Sequence, residues 1–236
     1  MIYKTVSIVS LFLLSVTANN IVQPKNTPEL LVATTVSPFE AKAENIYHSL
    51  NPNQFSLPTM DSFKQALQAF YSLKDKGLLK KDILTLVDFG LSSTEKRLWV
   101  IDLSTQTVLY NTFVAHGKNS GMDFATKFSN KNASEKSSLG LYLTGETYTG
   151  KHGLSMKLDG MERGVNNNAR MRSVVMHGAD YVSEAVIRMQ NRLGRSQGCP
   201  AIPVELTEDI IATIKDQSCL FIYHPSRARK SFGSLS

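Results

Sequence analysis

Beyond its first twenty residues the sequence has no apolar run long enough to cross a bilayer, which takes about 20 residues. Nothing downstream of the N-terminus therefore reads as a membrane span. Cysteine is scarce: only Cys199 and Cys219 occur, and no Cys-x-x-Cys pair or His-Glu spacing accompanies them. A site built from His116, His152 and His177 has no such spacing behind it, so no metal site is expected. The chain shows no repeat of roughly 20–50 residues and no alternating strand–helix–strand rhythm, which argues against solenoids and a doubly wound sheet. Basic residues are scattered, with one dense group at Arg227, Arg229 and Lys230, and no nucleic-acid-binding module is present. The net charge of +6 suits an anionic polymer or lipid surface, and equally suits plain solubility.

What is present begins at the N-terminus. Lys4 precedes an apolar run from Val6 to Val16, and Val16-Thr17-Ala18 supplies small residues ahead of Asn19-Asn20. That layout predicts a secretory signal peptide over residues 1–18, with an uncleaved anchor beside the membrane as the rival. Residues 19–56, rich in Asn, Pro, Thr and Ser, read as a mobile extension with one helical turn at most. A folded domain is expected over 57–226, and residues 227–236 read as a basic tail.

Within that domain Pro58 and Thr59 precede a 3.6-residue stripe of Phe63, Ala66, Leu67, Phe70 and Tyr71, which Gly77 can stop. Strands are expected at 83–89, 97–103 and 107–115, then at 139–143 and 154–158 with turns at Gly145 and Gly150 between them. A short apolar strand at 173–176 leads into His177. Ser183 can cap a helix that Gly194 ends, Thr207 can cap another, and 219–223 reads as a buried strand. The total is mostly β with flanking helices, an α+β fold.

The chemistry concentrates in Gly194-Arg195-Ser196-Gln197-Gly198-Cys199-Pro200-Ala201. A thiol nucleophile needs access, a charge environment favouring thiolate, and donors for the oxyanion formed on attack. Gly198 permits an unusual φ, so the N–H groups of Gln197 and Gly198 are candidate oxyanion donors. Arg195 brings positive charge, and Ser196 can shape the loop. Cys219 lies in an apolar run and reads as packing. His177, emerging where a strand meets Gly178, is the candidate base. His116 also follows a strand and precedes a glycine, so it either lines the cleft or closes a turn. His152 and His224 read as surface residues. A Cys199–Cys219 disulfide is the bland reading; it would stabilise by about 3 kcal/mol.

His-Gly after a strand, followed by Ser-x-Gly-Cys, resembles the L,D-transpeptidase (YkuD-type) catalytic domain of bacterial cell-wall enzymes, in particular the branch reading Gly-Arg-Ser-x-Gly-Cys-Pro-Ala. Ala115 to Gly121, Phe128-Ser129-Asn130, Ser137 to Gly140 and His177 to Val182 agree in order, so the resemblance runs from about Leu84 to Tyr223. It departs at Gln197, where histidine is usual, and at Pro200-Ala201, where a polar or basic pair often stands. The His-to-Cys separation is also longer than usual. The resemblance implies a β-sandwich-like fold and peptidoglycan stem peptides as partners. It implies Cys199 acylated by a stem tetrapeptide with His177 as base, in the periplasm or cell envelope, without a metal or organic cofactor. Arg195 or Arg172 would meet a substrate carboxylate. An amine or water resolves the acyl-enzyme, giving a transpeptidase or an L,D-carboxypeptidase; a silent wall-binding module on the same fold is the third reading.

Overall fold

The computed structural model describes residues 37–227. The expected leader at 1–18 and the tail beyond Arg227 lie outside the described residues. The chain folds as α1 (Pro38–His48), α2 (Met60–Lys74), β1 (Ile83–Asp88), β2 (Leu98–Asp102), β3 (Thr107–Thr112), β4 (Gly140–Gly150), β5 (Gly153–Gly160), β6 (Val175–Gly178), α3 (Glu184–Gln190), β7 (Ala201–Ile202), α4 (Thr207–Ile214) and β8 (Cys219–Tyr223). The eight strands form one sheet in the order β3-β2-β1-β8-β4-β5-β6-β7. Two neighbouring pairs are parallel, β1 with β8 and β6 with β7.

Side chains alternate across a strand, and here both faces are buried. Leu84 and Leu86 of β1, Trp99 and Ile101 of β2, Leu141 of β4, and Cys219 and Phe221 of β8 face one core with Phe63, Leu67 and Phe70 of α2. The residues between them, Val87, Val100, Tyr142, Leu220 and Ile222, face a second core with Met156, Leu158, Met176, Ile202 and Ile210, Ile211 and Ile214 of α4. The second set joins strands far apart in the sheet order, so the sheet curls onto itself like a sandwich. Burial on two faces explains why β2 and β8 read as nearly unbroken apolar runs. Each fully buried Leu, Ile or Phe in these cores contributes about 1.5–3 kcal/mol.

Several local expectations change. Residues 38–48, expected within a loose extension, form α1, whose buried Ala43 packs in the core with α2. A capping box caused this: Ser37 Oγ accepts the Glu40 N–H, the Glu40 side chain accepts the Ser37 N–H, and Pro38 opens the helix. Gly145 is not a turn. β4 continues through it to Gly150 with a register shift between Thr144 and Thr147, and the hairpin closes at the Gly150–Gly153 pair. α3 starts at the Ser183 cap but ends at Gln190, with Asn191 left-handed at φ 54°. Gly194 serves a different need: a Cβ there would lie 2.3 Å from Tyr181 Cβ. Thr207 is the first residue of α4 rather than its cap, because a single 3₁₀ turn at Val204–Leu206 precedes it; its hydroxyl donates to the Pro203 carbonyl at 2.9 Å. No helix among the described residues is long and apolar enough to cross a membrane.

Candidate active site

The loop before β7 and the end of β6 are brought together by parallel pairing. His177 pairs with Ala201 and Gly178 with Ile202. Counting two residues back along each strand sets Cys199 beside Val175, and there the Val175 N–H donates to Cys199 Sγ at 3.5 Å. Sγ in turn lies 3.7 Å from the Ser173 carbonyl. Ser173 reaches that position with φ 55°, a left-handed backbone costly for a residue with a Cβ. Cys199 and His177 line one cleft of about 580 Å³. The hydrogen bonds of Sγ run to this backbone rather than to the imidazole.

His177 is nearly fully buried, and its Nδ1 lies 2.8 Å from the Gly178 carbonyl. A carbonyl only accepts, so Nδ1 carries the proton and Nε2 keeps the lone pair. Burial pushes the imidazole below its usual pKa; the Gly178 contact opposes this, and His152 and Lys151 add to it. Burial pushes the Cys199 thiol up, while the Val175 N–H, Arg172 and Lys151 hold it back. Both shifts favour the uncharged forms, a thiol at Cys199 and a neutral imidazole at His177.

The cysteine loop is held from behind. Ser196 Oγ accepts the Gly198 N–H at 3.0 Å and donates to the Cys199 carbonyl at 2.6 Å. Ser196 N–H donates to the His116 carbonyl and its own carbonyl accepts from Lys118 N–H. Ser137 Oγ donates to the Gly198 carbonyl at 3.3 Å. Gly198 has φ 123°, and a Cβ there would lie 2.9 Å from the Lys136 carbonyl oxygen, so both conformation and space call for glycine. The Ser196 contact takes the Gly198 N–H out of the expected oxyanion set. Gln197 and Cys199 keep N–H groups that no described residue engages.

Neither arginine is a free arm over the cleft. Arg172 donates to the carbonyls of Ser129 (2.7 Å) and Lys136 (2.7 Å) and to the hydroxyls of Ser134 and Ser138, tying the 129–138 loop beside the thiol. Arg195 donates to the carbonyls of Lys118 and Gly121 at 3.1 and 3.0 Å. Both still line the cleft, with Lys118, Lys151 and a single acid, Glu135. Lys118 pairs with Glu135 at 2.6 Å.

The other histidines separate. His116 does not line the cleft. It is 1% exposed, and its Nδ1 accepts from Arg97 Nη2 at 2.9 Å in the interior behind the cysteine loop. Burial and the Arg97 charge push its pKa down to about 4. His224 is half-buried against Phe128, with Nδ1 2.6 Å from Ser226 Oγ. His152, read as a plain surface residue, is solvent-exposed yet stacks on His177 with ring centroids 4.3 Å apart and planes 18° apart. Its hairpin also brings Tyr148, Gly150 and Lys151 to the cleft. In the sequence Gly150-Lys151-His152-Gly153 signals a tight turn, but nothing local says what its tip will touch. The two cysteines are free thiols, so the disulfide reading fails: Cys219 is fully buried in β8. Among the described residues no three His, Cys, Asp or Glu side chains converge as a metal site.

The family model described as the L,D-transpeptidase catalytic domain matches residues 56–223. Solved structures that match the chain include an L,D-transpeptidase from Mycobacterium smegmatis, at 10% identity and TM-score 0.38, covering 61% of this chain and 59% of that one. The helical cell shape determining protein Pgp2 from Campylobacter jejuni matches at 14% identity and TM-score 0.39, with 70% and 58% covered. An L,D-transpeptidase from Xylanimonas cellulosilytica matches at 10% identity and TM-score 0.33, with 80% and 94% covered. The matched part thus spans under two-thirds of the M. smegmatis and C. jejuni chains. No curated protein sequence matches the chain.

Proposed function

Because the chain belongs to the L,D-transpeptidase catalytic-domain family, whose enzymes act on peptidoglycan, we propose that it is a cysteine acyltransferase with Cys199 as nucleophile and His177 as base. The observation that carries this reading is the His177–Ala201 pairing, which brings a thiol and an imidazole lone pair to one cleft.

His177 Nε2 takes the proton of Cys199 as Sγ bonds to the carbonyl carbon of the diamino acid at position three of a stem tetrapeptide. The carbonyl electrons move to oxygen, where the N–H groups of Gln197 and Cys199 receive the charge. Collapse breaks the amide bond, and D-alanine leaves as an amine protonated by His177. A thioester remains on Cys199. An amine from a neighbouring stem then attacks it and gives its proton to His177; that proton returns to sulfur as the new amide departs. Water in place of the amine yields a trimmed tripeptide. The excess of cationic side chains around the cleft suits the carboxylates of such a peptide. Export to the cell envelope through the N-terminal leader would place the enzyme with this substrate.

The test is turnover of a purified disaccharide-tetrapeptide by the full-length protein beside Cys199→Ala. Release of D-alanine with a cross-linked dimer supports transpeptidation; release with tripeptide alone supports trimming. An absence of D-alanine from the wild type would overturn the proposal.

A further inference from the structure

A catalytic histidine is ordinarily oriented by a group bonded to its second ring nitrogen, often a carboxylate. Among the described residues, His177 has no carboxylate partner; its Nδ1 is held only by the carbonyl of its own successor, Gly178. A hydrogen bond at one edge leaves the ring able to tilt about that edge. One feature that opposes tilting is the His152 ring, lying nearly parallel over the face of His177.

His152 reaches that place because of the hairpin. β4 and β5 pair up to Gly150 and Gly153, so Lys151 and His152 are the two turn residues at the tip. Gly153 supplies the left-handed conformation, φ 71°, that so tight a turn requires. The base of the same hairpin is fixed in the sheet: β5 pairs with β6, with Ser155 directly opposite His177. The tip is thus built on the strand beside its target, and its position over the imidazole follows from the sheet register. An exposed turn histidine has no need of a partner for its own solvation, yet this one lies against a buried ring.

We propose that His152 is a positioning residue, whose ring holds His177 in the orientation that keeps Nε2 available to Cys199. This rests on the assignment of His177 as the base. The stack works through ring shape and face, so another aromatic ring should replace it, whereas a small side chain should not. The charged groups acting on His177 come from the hairpin, His152 and Lys151, while Cys199, Tyr181, Lys118, Glu135, Arg172 and Arg195 line the same cleft from the other elements.

Alkylation of Cys199 by iodoacetamide tests this in the full-length protein without any substrate, and fully buried Cys219 does not compete. Rates are measured from pH 5 to 9, a range of about four units spanning the ordinary histidine and thiol values, for wild type, His177→Ala, His152→Ala and His152→Phe. Thermal unfolding confirms that each variant folds. His177→Ala should slow alkylation near neutrality by about tenfold or more. His152→Ala should slow it by about fivefold and weaken its acid limb, while His152→Phe should stay within about twofold of wild type. If His177→Ala is slow and His152→Ala matches wild type, the positioning role fails alone. If His152→Phe is as slow as His152→Ala, the stack is not the means and the proposal fails. If His177→Ala alkylates like wild type, the base assignment falls and this inference falls with it.

Discussion

Cys199 and Cys219 carry the same side chain in opposite surroundings. Cys219 sits in β8 between Leu84 of β1 and Leu143 of β4, where strand pairing consumes the backbone N–H groups. Burial alone pushes its thiol far up. Cys199 sits on a loop, touches the Val175 N–H and the Ser173 carbonyl, and feels Arg172 and Lys151. Its own N–H and that of Gln197 have no partner among the described residues. The contrast is one of an interrupted ladder: a strand interior buries sulfur and uses up its backbone donors, whereas the loop before β7 leaves donors free, as the proposed nucleophile needs.

The largest expected effect that sharpens this comparison is loss of turnover. Cys199→Ala should abolish D-alanine release, while Cys219→Ala should leave kcat within about twofold of wild type, since no described polar group depends on that sulfur. A comparable loss in both variants would break the contrast.

Next come the histidines, where His177→Ala should lower kcat by about 10²–10⁴-fold. His116→Ala removes one acceptor of a fully buried guanidinium, Arg97, which keeps the carbonyls of Leu91 and Val114, and should destabilise the fold by about 2–3 kcal/mol, with activity largely kept well below the melting temperature. Turnover and chemical denaturation on the same samples check both halves.

The interior that holds His116 also holds Asp88, and the two should respond oppositely to acid. Unfolded His116 takes a proton near pH 6.5, but the folded residue waits until about 4, so acidification between those values favours unfolding. Burial raises Asp88 to about 6 from 3.8, so in the folded state it takes its proton first, and acidification across that window favours folding. Each linkage is worth about 3 kcal/mol, so they nearly cancel. Asp88→Asn should therefore lose stability relative to wild type as pH falls from above 6 to below 4, by about 3 kcal/mol in denaturation midpoints. A pH-independent difference would contradict the assignment.

The smallest expected effect is on stability at Cys219. Replacement by alanine should cost about 1–2 kcal/mol from the small cavity, and by serine about 2–3 kcal/mol from an unpartnered buried hydroxyl. Denaturant unfolding measures both, and equal stability for all three proteins would mean that the site is less closely packed than its complete burial indicates.

The strands were legible even where both faces are buried, because short apolar runs rich in β-branched and aromatic residues, such as Leu98 to Ile101 and Cys219 to Tyr223, are too short for helices. That the Gly-Cys-Pro loop and the strand-end His177 share one candidate site was legible because glycine and proline mark backbone that side-chain packing does not need. His116 and His177 have the same local signature, a strand followed by glycine, and only tertiary structure buries one on Arg97 and lines the cleft with the other. His152 was invisible for the same reason: its turn is local, but its contact crosses from the hairpin tip to β6. The role of Ser196 in engaging the Gly198 N–H depends on a turn that a one-dimensional motif does not specify. α1 was there to be found, since Ser37-Pro38-Phe39-Glu40 is a capping box hidden in a segment whose composition reads as loose.

The central claim, that the cleft acylates Cys199 and leaves Cys219 untouched, is tested most directly by mass. Full-length protein is mixed with disaccharide-tetrapeptide, quenched in acid, digested and mapped. The expected result is a thioester-linked acyl group on the peptide bearing Cys199, none on the peptide bearing Cys219, and none in Cys199→Ala. Acylation that persists in Cys199→Ala, or turnover with no adduct on Cys199 at any quench time, would contradict it.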